Sequence, residues 1–102
     1  MEKPIIKTLD GKEHEMRGVK GRDWRLLGEF MDNASTFTDT DYLEKHAGFI
    51  AEFYDGVTVE DILDLPLEDI MPVSVAIRDY IFNQLGAKLD KIEKNSETDK
   101  AQ

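Results

Sequence analysis

The chain has no cysteine, which removes a disulfide framework, thiol chemistry and thiolate-bound zinc or iron–sulfur centres. Proline is scarce, at three residues, so long stretches can run as helix without a missing amide or a clashing ring. Histidine is confined to His14 and His46. They fall on different expected elements, and neither has a second histidine four residues away, the spacing at which one helix face grips zinc. No run of roughly eighteen apolar residues occurs, and Met1-Glu2-Lys3-Pro4 leads into a strand-like segment. Neither a membrane span nor an export signal is expected. Basic charge is short as well: 13 Lys and Arg stand against 22 Asp and Glu, a formal net charge of -9. That charge repels phosphates and anionic lipid at long range. Neither nucleic acid nor membrane is an expected partner, and solubility is the plainer consequence.

What is present suffices for one core. Over 102 residues, 40% are apolar and 9% aromatic, enough to offset the chain entropy that keeps charge-rich sequences unfolded, while a second domain would be too small to stand alone. The expected fold class is α+β, mainly α: an N-terminal β-hairpin followed by a compact bundle of about four helices, a single domain over residues 3–92, with residues 93–102 as a disordered polar tail.

Ile5 to Leu9 and Glu13 to Arg17 flank Asp10-Gly11, a dipeptide suited to a tight turn between right-twisted strands. Two strands alone are marginal, so one face must be covered. Beyond Gly18 and Gly21 the period changes. Trp24, Leu27 and Met31 recur at helical spacing, with Leu26 and Phe30 beside them, predicting a helix from about Arg22 to Asn33. Thr38 with Asp41 has the spacing of a capping pair and announces a second helix, with Leu43, Ala47, Ile50 and Tyr54 on one stripe and Tyr42, His46, Phe49 and Phe53 on the next. Asp55-Gly56 stops it. Thr58 and Asp61 open a short third helix carrying Val59, Ile62 and Leu63, which Pro66 ends. From Pro72, suited to a first helical position, Val73, Ile77, Ile81 and Leu85 recur every fourth residue, and Leu89 and Ile92 prolong the pattern past Gly86.

Chemistry-bearing motifs are few. Ser35, Ser74 and Ser96 lack the glycine-framed turn that exposes a nucleophile, and no histidine is near them in sequence, though the fold could still bring one close. Asp61 and Asp64 could divide acid and base roles if burial shifted one of them, but their leucine neighbours suit an ordinary amphipathic turn. Asp39-Thr40-Asp41 lacks the glycine and distant glutamate of a calcium loop. Gly18-Val19-Lys20-Gly21 has the spacing of a backbone clamp for nucleic acid, in a chain whose charge opposes that partner. Asn33-Ala34-Ser35 fits a glycosylation sequon that export alone would make meaningful. No catalytic, cofactor or metal residue is expected, and the chain reads as a binding protein rather than an enzyme. The large rings are the distinctive content. Trp24 is expected as a central core anchor, and Phe37 and Phe53 as exposed contacts. The candidate partner-binding residues are Phe37, Phe49, Phe53, Tyr54, Ile62 and Leu65.

The hairpin on Ile5-Ile6-Lys7-Thr8-Leu9-Asp10-Gly11-Lys12-Glu13, the helix opening Arg22-Asp23-Trp24-Arg25, and the later Asp41-Tyr42-Leu43 and Val57-Thr58-Val59-Glu60-Asp61-Ile62 together resemble the tail assembly chaperones of long-tailed bacterial viruses. The likeness spans roughly Lys3 to Ile92 and rests on element order, length and composition. It implies a protein that binds the tape-measure protein, keeps it soluble, assists tail tube assembly and leaves before the particle is complete. The implied partners are the tape-measure protein, the tail tube protein and further copies of the chain, in the cytoplasm of the bacterial host and not in the mature virion. A frameshifted longer product is also a family trait. Two other functions fit the same composition: a structural head–tail connector or tail terminator, and an acidic DNA-mimic inhibitor.

Overall fold

The computed structural model describes the backbone from residue 2 to residue 101 and side chains as far as residue 86. The chain is α+β and mainly α, an antiparallel hairpin followed by four helices. Strands β1 (Ile5–Lys7) and β2 (Glu13–Glu15) pair with Ile6 opposite His14. They are shorter than the sequence predicts, and the turn is one residue longer. The Thr8 amide donates to the Lys12 carbonyl at 3.0 Å and the Gly11 amide to the Thr8 carbonyl at 2.9 Å, leaving Leu9, Asp10 and Gly11 as the loop. Gly11, at φ 85°, occupies the left-handed position that closes such a loop with a bulge. Asp10 accepts from the Thr8 hydroxyl and from the Lys12 amide at 3.1 Å, and so stiffens it.

The hairpin is fastened to the helices by long-range bonds. The Tyr54 hydroxyl donates to the Pro4 carbonyl at 2.9 Å, and the Arg17 amide donates to the Phe53 carbonyl at 2.9 Å. Beneath it Ile6 and Met16 are buried in the main core. Helix α1 (Gly21–Asn33) starts where the Asp23 carboxylate accepts the Lys20 amide at 2.8 Å, filling a vacancy that every helix N-terminus presents. Arg17 grips the same carboxylate with two nitrogens, each at 2.9 Å. A short 3₁₀ turn at Ala34–Thr36 follows.

Thr38 and Asp41 exchange side-chain-to-amide bonds of 2.7 and 3.3 Å, as their spacing predicts, and α2 (Tyr42–Ala51) begins after Asp41. It stops before Phe53 and Tyr54, which lie in the turns leading to Gly56 at φ 76°. Thr58 and Asp61 form a full capping box, at 3.0 and 3.1 Å, for α3 (Val59–Leu63). Asp61 is thereby committed to structure.

Helix α4 (Leu67–Ala101) corrects the expectation about where it starts. It begins five residues before Pro72, the residue expected to open it. The Asp69 amide reaches the Pro66 carbonyl at 2.9 Å, so Pro66 starts the helix and Pro72 lies inside it. Burial of Ile70 and Ile77 on either side of Pro72 offsets the hydrogen bond that the proline ring removes. At the other end the helix runs past Gly86 to Ala101, the side chains beyond residue 86 lying outside the described residues. Residue 102 lies outside the described residues.

The core joins all these elements: Ile6 and Met16 from the hairpin, Leu27 from α1, Ala47 and Ile50 from α2, Ile62 from α3, and Ile70, Ile77 and Ile81 from α4. Among the described residues no helix is long and apolar enough to cross a membrane.

Candidate apolar groove between the first and fourth helices

Two places in this fold gather chemistry: a ring cluster beside the first turns of α4, and a groove running from it along α1. The cluster begins with Phe30 of α1 stacked on Phe49 of α2, centroids 4.4 Å apart and planes at 20°. The His46 ring stands edge-on to Phe30 at 5.0 Å and lies 4.7 Å from Tyr42. Phe37 closes the far side, 5.4 Å from Phe30. Spacings of four and three residues place Tyr42, His46 and Phe49 on the same side of α2, which is why the rings converge.

His46 also meets Ser74, its Nδ1 2.8 Å from the serine Oγ. Sequence separation hid this pair, since its members lie twenty-eight positions apart. Both are buried, and burial lowers the pKa of His46 below its ordinary value, so the ring is neutral near pH 7. A serine nucleophile would need a carboxylate to orient the histidine and amide donors to receive an oxyanion. Among the described residues no carboxylate bonds to His46, and Ser74 sits inside a helix whose amides bond along the helix. What the pair does here is satisfy two polar groups in an apolar wall.

Beside the rings lies a cavity of about 460 Å³, walled by Phe30, Tyr42, Phe49, Met71 and Val75, with Arg78 at its edge. This volume falls within the usual range for binding pockets, roughly 300–1,000 Å³. Two shallower depressions extend it. One, of about 80 Å³, shares Met31 with the cavity and adds Trp24, Gly28 and Phe82. Another, of about 170 Å³, shares Trp24 and adds Leu85. The result is a groove floored by α1 and α4, along which Trp24, Met31, Val75, Phe82 and Leu85 are each between 38% and 44% exposed. Trp24 and Phe82 meet edge to face across it, centroids 5.2 Å apart.

The sequence-predicted residues lie mostly elsewhere. Phe53, Tyr54, Ile62 and Leu65 are buried in the core away from the groove, and Phe53 is fully enclosed where exposed contact was expected. Its ring packs on Phe49 at 5.2 Å and under the Arg17 guanidinium at 5.0 Å. Phe49 is buried but lines the cavity, and Phe37 is half-buried at the edge of the ring cluster. Trp24 reverses the other expectation, standing on the groove where a core position was expected. The reason is Asp23. Its carboxylate turns inward to meet Arg17 and the Lys20 amide, which fixes the rotation of α1, and helical geometry then places Trp24 about 100° round from it, at the margin of the buried face.

Trp24, Met31, Val75, Arg78 and Phe82 were missed as groove residues. A signal for them exists on α4: Val75, Arg78, Phe82 and Leu85 are spaced by three, four and three residues, the interval of a seam between helices. No protein-family model, curated protein or solved structure matches this chain.

Proposed function

We propose that this chain holds another polypeptide through the groove between α1 and α4, and that it is a tail assembly chaperone of a long-tailed bacterial virus whose client is the tape-measure protein. The observation that carries the reading is the groove itself: five large apolar side chains left half in water beside an open cavity in a protein whose formal charge is -9. Apolar surface gathered in one place marks an interaction site. A helix-seam spacing on α4 suits a helical occupant. A tape-measure polypeptide presents long amphipathic helices whose bare apolar faces would otherwise associate with one another, and the acidic surface keeps the complex dispersed. The chain acts in the cytoplasm of the infected bacterium and departs before the virion is finished.

Co-expression with the polypeptide encoded immediately downstream tests this. The client stays soluble and co-purifies if the reading holds. Insolubility of a well-expressed client beside a well-expressed chain overturns it, and stoichiometric presence of the chain in purified particles makes it a structural component instead.

A further inference from the structure

Arg78 interrupts the groove. It stands between Val75 and Phe82 on the outward seam of α4 and is the only lysine, arginine, aspartate or glutamate among the described residues lining the large cavity. Its recorded ion pair is with Asp79, its neighbour in sequence, at 3.3 Å, with side chains 43% and 49% exposed. So open a pair holds its members weakly. Arg17 offers the contrast, with its guanidinium engaged by a buried carboxylate and two backbone carbonyls. Covering Arg78 with an apolar helix would strip water from its charge without replacing it, a penalty that an opposing carboxylate offsets in large part and an opposing lysine increases.

We infer that the helix filling this groove carries one carboxylate that meets Arg78, flanked one turn away on each side by large apolar side chains. One of these enters the cavity between Tyr42 and Phe49, and the other covers the Trp24–Phe82 pair. The inference rests on the client-holding reading above and names the chemistry of the segment held. Helical geometry supplies the spacing, because residues three or four apart share a face, and the cavity, Arg78 and the Trp24–Phe82 pair succeed one another along α4 at that interval. The rest of this acidic protein favours basic partners. A single acidic residue on the buried face of such a client therefore fixes register, as a lone polar residue does in a helical seam.

Two synthetic helical peptides test it, identical except for a central Glu or Lys, with Leu four residues before and Phe four residues after. Trp24 is the sole tryptophan, so its emission reports occupancy of the groove. The Glu peptide shifts that emission to the blue and binds about tenfold more tightly than the Lys peptide. Arg78→Glu, checked for folding by circular dichroism, reverses the order, and Arg78→Lys preserves it. Equal affinity of the two peptides for the native protein, or an unchanged order with folded Arg78→Glu, overturns the inference. Failure of both peptides to move Trp24 while a co-expressed client stays soluble also overturns it and leaves the client-holding reading standing. An insoluble client beside a normal peptide preference supports the acid-centred groove and removes the proposed client.

Discussion

The side chain on which most of the local architecture converges is Asp23. It is 1% exposed, accepts the amide of Lys20 just ahead of α1, and receives both arms of Arg17, which also donates to the Glu52 carbonyl at 2.9 Å. Hairpin, first helix and the end of the second helix thus share one ion pair. The Arg17 hydrogen bonds hold its carboxyl below the usual 3.8, against the upward push of burial, with the Lys20 amide reinforcing them. A carboxyl held low in the folded state stabilises the fold above its unfolded pKa, and that stability is lost as pH falls below about 3.8 and through the folded value. Asp23→Ala should therefore cost about 3 kcal/mol at pH 7, the low end for breaking a buried pair because Arg17 keeps some access to water, and should flatten the acid limb of a urea-denaturation series. An unchanged acid limb would mean the pair adds no stability. His46 acts at higher pH. Burial lowers its pKa below 6.5, so the unfolded chain takes the proton first, and stability falls as pH drops from about 6.5 toward the folded value. His46→Gln should reduce the loss of urea stability between pH 7.5 and 5.5, and a slope as steep as the native one would place its origin elsewhere.

At the level of elements, helix α4 shows what local sequence can and cannot specify. Thr58 with Asp61, Thr38 with Asp41 and the glycines of the two turns were readable because caps and turns are short-range chemistry: the donor and its acceptor lie within a few residues. The start of α4 was not, because Pro72 looks like a helix opener and only the burial of Ile70 beneath it tells otherwise. Pro72 still withholds one amide from the helix interior. Pro72→Ala should raise stability, by up to about 3 kcal/mol, read as an increase in the denaturation midpoint. A decrease would show that the proline geometry is what sets Ser74 against His46. The faces of the helices were half legible for a related reason. On α1 both Trp24-Leu27-Met31 and Leu27-Phe30 make apolar stripes, and periodicity ranks neither. The choice falls to Arg17, six residues away from Asp23 and outside any periodic window.

For the molecule as a whole, the same ambiguity explains why the fold was legible in the sequence and the candidate site was not. A chain this small has enough large apolar residues for a core and for a groove, and composition counts them together. Only the assembled structure assigns Phe53, Ile62 and Tyr54 to the first and Trp24, Phe82 and Met31 to the second. The two sets should respond oppositely to truncation. Phe53→Ala empties a fully enclosed site and should cost about 3–5 kcal/mol, so any loss of client holding would follow from unfolding. Phe82→Ser removes a side chain that is 42% exposed and one edge-on ring contact, which should cost about 2–3 kcal/mol, less than emptying the Phe53 site. Yet it deletes the middle of the groove. The expected result is a folded Phe82→Ser protein, with a cooperative urea transition at a somewhat lower midpoint, that leaves a co-expressed client in the pellet. A client kept as soluble by Phe82→Ser as by the native chain would show that polypeptide is held elsewhere, and that the exposed rings of α1 and α4 serve only to steady each other.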